Sequence, residues 1–161
     1  MDSANVIGCD LVGEVIRTFG EVRLRVFGSS MTPSILPGDV ISIQRTQINE
    51  ISSGEVILFS QNGRLFAHRV IARAGNPNEL RLIARGDRLR HNDPPVSSSE
   101  LLGRVISVER GGRIIDFSAR NSEWMSPVIR LLQTSDHAAY LYLRLASFRR
   151  MLFSKKAECR P

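Results

Sequence analysis

A mainly β fold, with a short helix in front and a helical tail behind, is what this sequence predicts. Three observations carry that reading. Short runs of β-favouring residues recur in quick succession between residues 21 and 117. The gaps between them are filled by glycine, proline, asparagine and serine. After Phe117 the composition changes, with many leucine, alanine, tyrosine and arginine residues.

Residues 10–19 place Leu11, Val12, Val15, Ile16 and Phe19 on one side of a helix, which Gly20 ends. Strands are expected at 21–27, 39–45, 55–61, 64–74, 79–85, 101–110 and 112–117. Gly75-Asn76-Pro77-Asn78 separates the fourth from the fifth, and Arg110-Gly111-Gly112-Arg113 has the composition of a hairpin turn. Beyond them, Ser126 to Lys156 reads as helical, with Pro127 near its start and a break at Thr134-Ser135-Asp136. The division expected is a β domain over 1–118 and a helical tail over 119–161.

At 161 residues and 42% hydrophobic content the chain can bury one ordinary core. Cys9 and Cys159 lie at opposite ends without metal-ligand spacing, so reduced thiols are expected and zinc is not. The three histidines also lack the i, i+4 pairing of a metallopeptidase helix. No metal and no cofactor are expected. A membrane-spanning helix needs about 20 consecutive apolar residues, and none is present; Asp2, Asp10, Glu14, Arg17, Glu21, Arg23 and Arg25 exclude an ordinary secretory signal. The expectation is a cytoplasmic protein. Its tail mixes an apolar stripe with Arg144, Arg149, Arg150, Lys155 and Lys156, which suits peripheral contact with the inner face of the membrane. The plainer alternative is a helix packed on the β body or against a twin in a homodimer. A net charge of +6 permits nucleic-acid binding, but the basic residues are spread along the chain and no helix-turn-helix precedes residue 28, so nucleic acid is not expected.

The chemistry concentrates in three blocks. Gly28-Ser29-Ser30-Met31-Thr32-Pro33 sets a serine where an apolar strand gives way to a turn, stiffened by Pro33 and Pro37. His68 follows in the strand-like run Leu65 to Ile71. Arg85-Gly86-Asp87 and then His91-Asn92-Asp93 supply carboxylates. A serine hydroxyl is a poor nucleophile at neutral pH and needs a base to take its proton, and a carboxylate on the far ring nitrogen fixes the histidine tautomer.

Together these blocks resemble the type I signal peptidases, serine peptidases in which a Ser-Met-x-Pro box, a basic residue before Arg-Val and a Gly-Asp box recur in this order. The resemblance covers 26–108. The bacterial type uses lysine as base; the endoplasmic-reticulum and archaeal type has histidine before Arg-Val, as in His68-Arg69-Val70. The resemblance implies Ser30 as nucleophile and His68 as base. Of the two candidate carboxylates it favours Asp93 as the orienting one and Asp87 as a structural neighbour. Met31 and Pro33 are implied at the substrate-binding surface. It also implies the coiled β-ribbon fold shared with LexA-like self-cleaving peptidases, and a polypeptide precursor as substrate, processed in the manner of a signal or leader peptide. Two rivals stand beside this reading: a non-catalytic peptide-binding module on the same fold, and a LexA-like self-cleaving regulator. The regulator class pairs serine with lysine and carries a DNA-binding domain ahead of its serine box. Here no lysine lies between Ser30 and Asp93, and 27 residues precede Gly28. Gly28 itself departs from the bacterial type, which has a hydroxyl residue two positions before the nucleophile to help hold the oxyanion.

Overall fold

The computed structural model describes residues 3–76 and 79–117. Helix α1 spans Ser3–Phe19, and seven strands follow: β1 Glu21–Arg25, β2 Val40–Gln44, β3 Val56–Gln61, β4 Arg64–Ala74, β5 Arg81–Arg85, β6 Leu101–Arg110 and β7 Arg113–Asp116. All seven expected strands are present, most of them trimmed by a residue or two where a turn takes over. The expected helical tail, and with it the 119–161 division, lies outside the described residues.

Two expectations for α1 are corrected. It begins at Ser3 and not near residue 10, because a nucleated helix gains a hydrogen bond for each residue added and can run through Gly8. Its buried face is also narrower than the sequence suggested. Cys9 and Ile16 are buried, whereas Leu11 is 63% and Phe19 74% exposed. One helix resting on one sheet covers a stripe about as wide as its a and d positions, and the flanking apolar residues stay in solvent.

The strands form a single antiparallel sheet in the order β1-β2-β6-β3-β4-β5, with β7 pairing β6. Strand β6 is the hub. It pairs with β2 through 104–109, and with β3 near its start and β7 near its end. A Cβ on Gly103 would sit 2.3 Å from the Gln44 carbonyl oxygen, so a glycine lets β6 pass between two neighbours there.

Strand β3 explains the continuous apolar run Val56-Ile57-Leu58-Phe59. Val56 and Leu58 point into one core with Ile16, Met31, Ile35, Ile41, Ile43, Val105 and Val108. Ile57 and Phe59 point into a second core with Ile51, Val70, Leu82, Ala84 and Val96. A strand buried on both faces has no solvent side and loses the polar alternation of a half-exposed one. Each core anchors one half of the site: the first holds the serine turn, the second backs the histidine.

Two turns that lead into strands repeat one device, which the strand reading passed over. The Glu55 carboxylate accepts from the Ser52 amide at 2.6 Å, and Glu100 accepts from the Ser97 amide at 2.8 Å. Both are Ser-x-x-Glu, a spacing that lets a side chain satisfy a backbone donor three residues back. A 3-10 turn at Ile48–Glu50 precedes the first of them.

Candidate active site

The serine turn is closed at its base by backbone bonds from Val26 N to Asp39 O (2.8 Å) and Gly38 N to Val26 O (2.6 Å). Within it, Ile35 N donates to Met31 O at 2.9 Å, and Thr32 N to Ser29 O at 3.1 Å. The Thr32–Pro33 peptide is cis. Met31 and Ile35 are sunk in the first core, which pins the turn and leaves Ser30 half-buried at its crest.

His68 stands in the middle of β4, opposite Ile57 in the register, and is 3% exposed. The Phe59 and Phe66 rings flank its imidazole at centroid distances of 6.1 and 5.8 Å. Nε2 lies 2.9 Å from Ser30 Oγ. Nδ1 lies 2.7 Å from Asp93 Oδ2. Asp93 is itself tied to β5 by its amide, which donates to Ala84 O at 2.8 Å. With the carboxylate accepting from Nδ1–H, the lone pair on Nε2 faces the serine hydroxyl. Three residues from three segments, 38 and 25 positions apart, thus form one line of hydrogen bonds.

Beneath this line runs a buried ionic network. Arg69 grips the Asp87 carboxylate in a two-pronged pair, with Nε and Nη2 each 2.8 Å from an oxygen. Its Nη1 donates to Gly54 O at 2.7 Å. Ser34 Oγ donates to Asp87 Oδ2 and accepts from Arg69 Nη2. A second clamp joins Arg110 to Asp39 at 2.7 Å and to the Ser34 carbonyl at 2.9 Å. Buried charges are tolerated when paired and fully hydrogen-bonded, and both clamps here close on Ser34, four residues beyond the nucleophile. Gly86 completes the support: a Cβ there would meet the Ser30 carbonyl oxygen at 2.8 Å. Only a glycine lets the Gly-Asp segment approach the nucleophile's backbone so closely.

The profile of the Peptidase S24-like family matches residues 14–106, which take in the serine turn, β4 and the Gly-Asp segment. The chain belongs to the Peptidase S24-like family. Among curated proteins, this S24-like chain is similar to the inactive signal peptidase IA of Staphylococcus aureus strains Mu50, N315 and MW2. Each is 25% identical over 108 residues, covering 66% of this chain and 55% of the relative. The chain therefore spans about half the length of the curated relatives it matches.

Within the S24-like domain, the sequence-predicted residues separate by environment. Ser30, His68 and Asp93 meet. Asp87 sits in the ionic network with Arg69 and Ser34. Met31 and Pro33, expected at the substrate-binding surface, are buried. Met31 is 3% exposed and packs among the first core's residues, because an apolar side chain following the nucleophile gains more by filling the core than by facing water. Sequence reasoning missed Ser34, Arg110 and Asp39. Their only signal was a polar residue in an apolar turn and a Gly-Asp pair after it. Among the described residues no group of three or more His, Cys, Asp and Glu side chains could hold a metal ion. None of the described helices is long and apolar enough to cross a membrane.

Proposed function

We propose that this S24-like domain is a serine endopeptidase of the histidine-base type, cutting a polypeptide precursor through an acyl-enzyme on Ser30. The observation that carries the reading is the line of bonds from Ser30 Oγ through His68 to Asp93, at 2.9 and 2.7 Å. The chain's lysines are Lys155 and Lys156 alone, so a serine-lysine pair has no candidate base among the described residues.

In the first step Ser30 Oγ bonds to the scissile carbonyl carbon while its proton passes to His68 Nε2, and the carbonyl π pair moves onto oxygen. Collapse of that tetrahedral species breaks the C–N bond. The departing amine takes the proton from His68. Water then repeats the sequence on the ester, losing a proton to His68 and releasing the acid as Ser30 Oγ is reprotonated. Asp93 holds the imidazole in the right tautomer and offsets its positive charge in between. Strand β1 ends the sheet order and leads directly to the serine turn. A substrate laid extended along its outer edge would gain backbone hydrogen bonds with little sequence demand. The family resemblance adds small residues near the cut. Contact with an anionic membrane through the basic tail belongs to the same proposal, since it would bring the site to precursors held at the bilayer.

The second reading is a peptide-binding module that keeps the fold without turnover, and the similarity to staphylococcal proteins named inactive signal peptidase IA favours it. Incubation with a synthetic pool of extended peptides rich in alanine, serine and glycine, read by mass spectrometry, separates the two. Cleavage by the wild-type chain that vanishes in Ser30→Ala and His68→Ala supports the peptidase. Retention of peptides without cleavage by a folded wild-type chain would establish the binding module instead.

A further inference from the structure

Acyl transfer places a negative charge on the carbonyl oxygen, and stabilising that charge is often the largest single contribution to catalysis. His68 serves as base on one side of Ser30. Asp93, behind it, adds negative charge that opposes a second anion nearby. Gly28 brings no hydroxyl to the turn. The cation held against the nucleophile is Arg88, and nothing so far has given it a role.

Its placement is fixed from two directions. The Arg88 amide donates to the Ser30 carbonyl oxygen at 2.9 Å, within a turn closed by Leu89 N to Gly86 O at 2.9 Å. Its guanidinium reaches back over the same residues, with Nη1 3.3 Å from Ser29 Oγ. Arg88 is half-buried, as are Ser29 and Ser30. Its bond to Ser29 is long for a charge-assisted one and occupies a single donor of a group that has several in a planar fork. Arg69, by contrast, is committed to Asp87, Ser34 and Gly54.

We propose that Arg88 is the charged oxyanion donor of this site, its guanidinium moving from Ser29 Oγ to the substrate's carbonyl oxygen as charge develops there. A weak ground-state bond exchanged for a strong one in the transition state accelerates the reaction without tightening substrate binding. The inference rests on the peptidase reading above and extends it to one further residue.

Steady-state kinetics of the full chain test it, using the best-cut peptide of the pool as a quenched-fluorescence substrate. Arg88→Ala should lower kcat about 100-fold and leave KM within about twofold. A Cβ added at Gly28 meets nothing within 4 Å, so Gly28→Ser can supply a hydroxyl in the same turn. Added to Arg88→Ala, it should recover at least about tenfold of the lost kcat. Unchanged kinetics in Arg88→Ala would overturn the proposal, as would a raised KM with kcat intact, which would make Arg88 a binder of a substrate carboxylate. A kcat loss that Gly28→Ser leaves untouched, accompanied by a clearly lower melting temperature, would assign Arg88 to holding the turn and also overturn it. If the wild-type chain cuts nothing and matches Ser30→Ala, the peptidase reading fails and this inference falls with it. Wild-type cleavage with an unimpaired Arg88→Ala sinks the inference alone.

Discussion

Two aspartates six positions apart end in different surroundings, and those surroundings suit each to a different proposed role. Asp93 reaches His68 Nδ1 with a side chain 17% exposed. Asp87, 3% exposed, is spent on Arg69. Asp93→Asn should therefore cut turnover by roughly 1,000- to 10,000-fold, since an amide donor at Nδ1 favours the wrong tautomer, while its thermal melt stays near that of wild type. Asp87→Asn should do the reverse. It leaves the buried Arg69 charge without its counter-ion, a loss of about 3 kcal/mol visible as a lower urea midpoint. A stable Asp87→Asn protein with abolished activity would mean that the two roles are exchanged.

Elements here are joined by turns whose carboxylates answer backbone amides, and the turn before β6 gives the clearest handle. Burial works to raise the pKa of Glu100, but the Ser97 amide and hydroxyl, the Gln61 side chain and the charge on Arg81 together hold it below its ordinary value. A carboxylate whose folded-state pKa is depressed stabilises the fold at pH values above its unfolded pKa. That contribution is lost as the pH falls through the folded-state value. Glu100→Gln should accordingly be less stable than wild type in urea near neutrality, and the two should converge in strongly acidic buffer. A difference that persists at low pH would point to lost packing and not to the ionised form. The turn also sets where β6 begins, so its loss should loosen pairing with β3 before pairing with β2.

For the whole molecule, stability and the proposed activity meet in β3, which carries a core on each face. Phe59 is fully buried, stacks on Phe66 at 5.6 Å and stands edge-on to His68. Phe59→Ala should cost about 3–5 kcal/mol and also lower kcat, because the imidazole loses one of the rings that fix its plane. Leu58→Ala, on the opposite face, should cost about 2–5 kcal/mol with a smaller effect on turnover among the molecules that remain folded. Equal kinetic effects from the two substitutions would show that the cores do not divide the labour this way.

The sequence by itself determined the strand count, the antiparallel hairpins and the chain order of serine, histidine and aspartate, because these follow from patterns within a few residues: alternation, turn composition and short boxes. It favoured Asp93 over Asp87 as the orienting carboxylate only through the family resemblance, overextended the buried face of α1 and set Met31 and Pro33 on a surface that the fold turns inward. Those outcomes depend on partners far along the chain. Arg69 meets Asp87 across 18 residues, Arg88 meets Ser29 across 59, and Arg110 meets Asp39 across 71. Burial and charge pairing are decided by what the sheet brings to each side chain, and only the tertiary structure closes those distances.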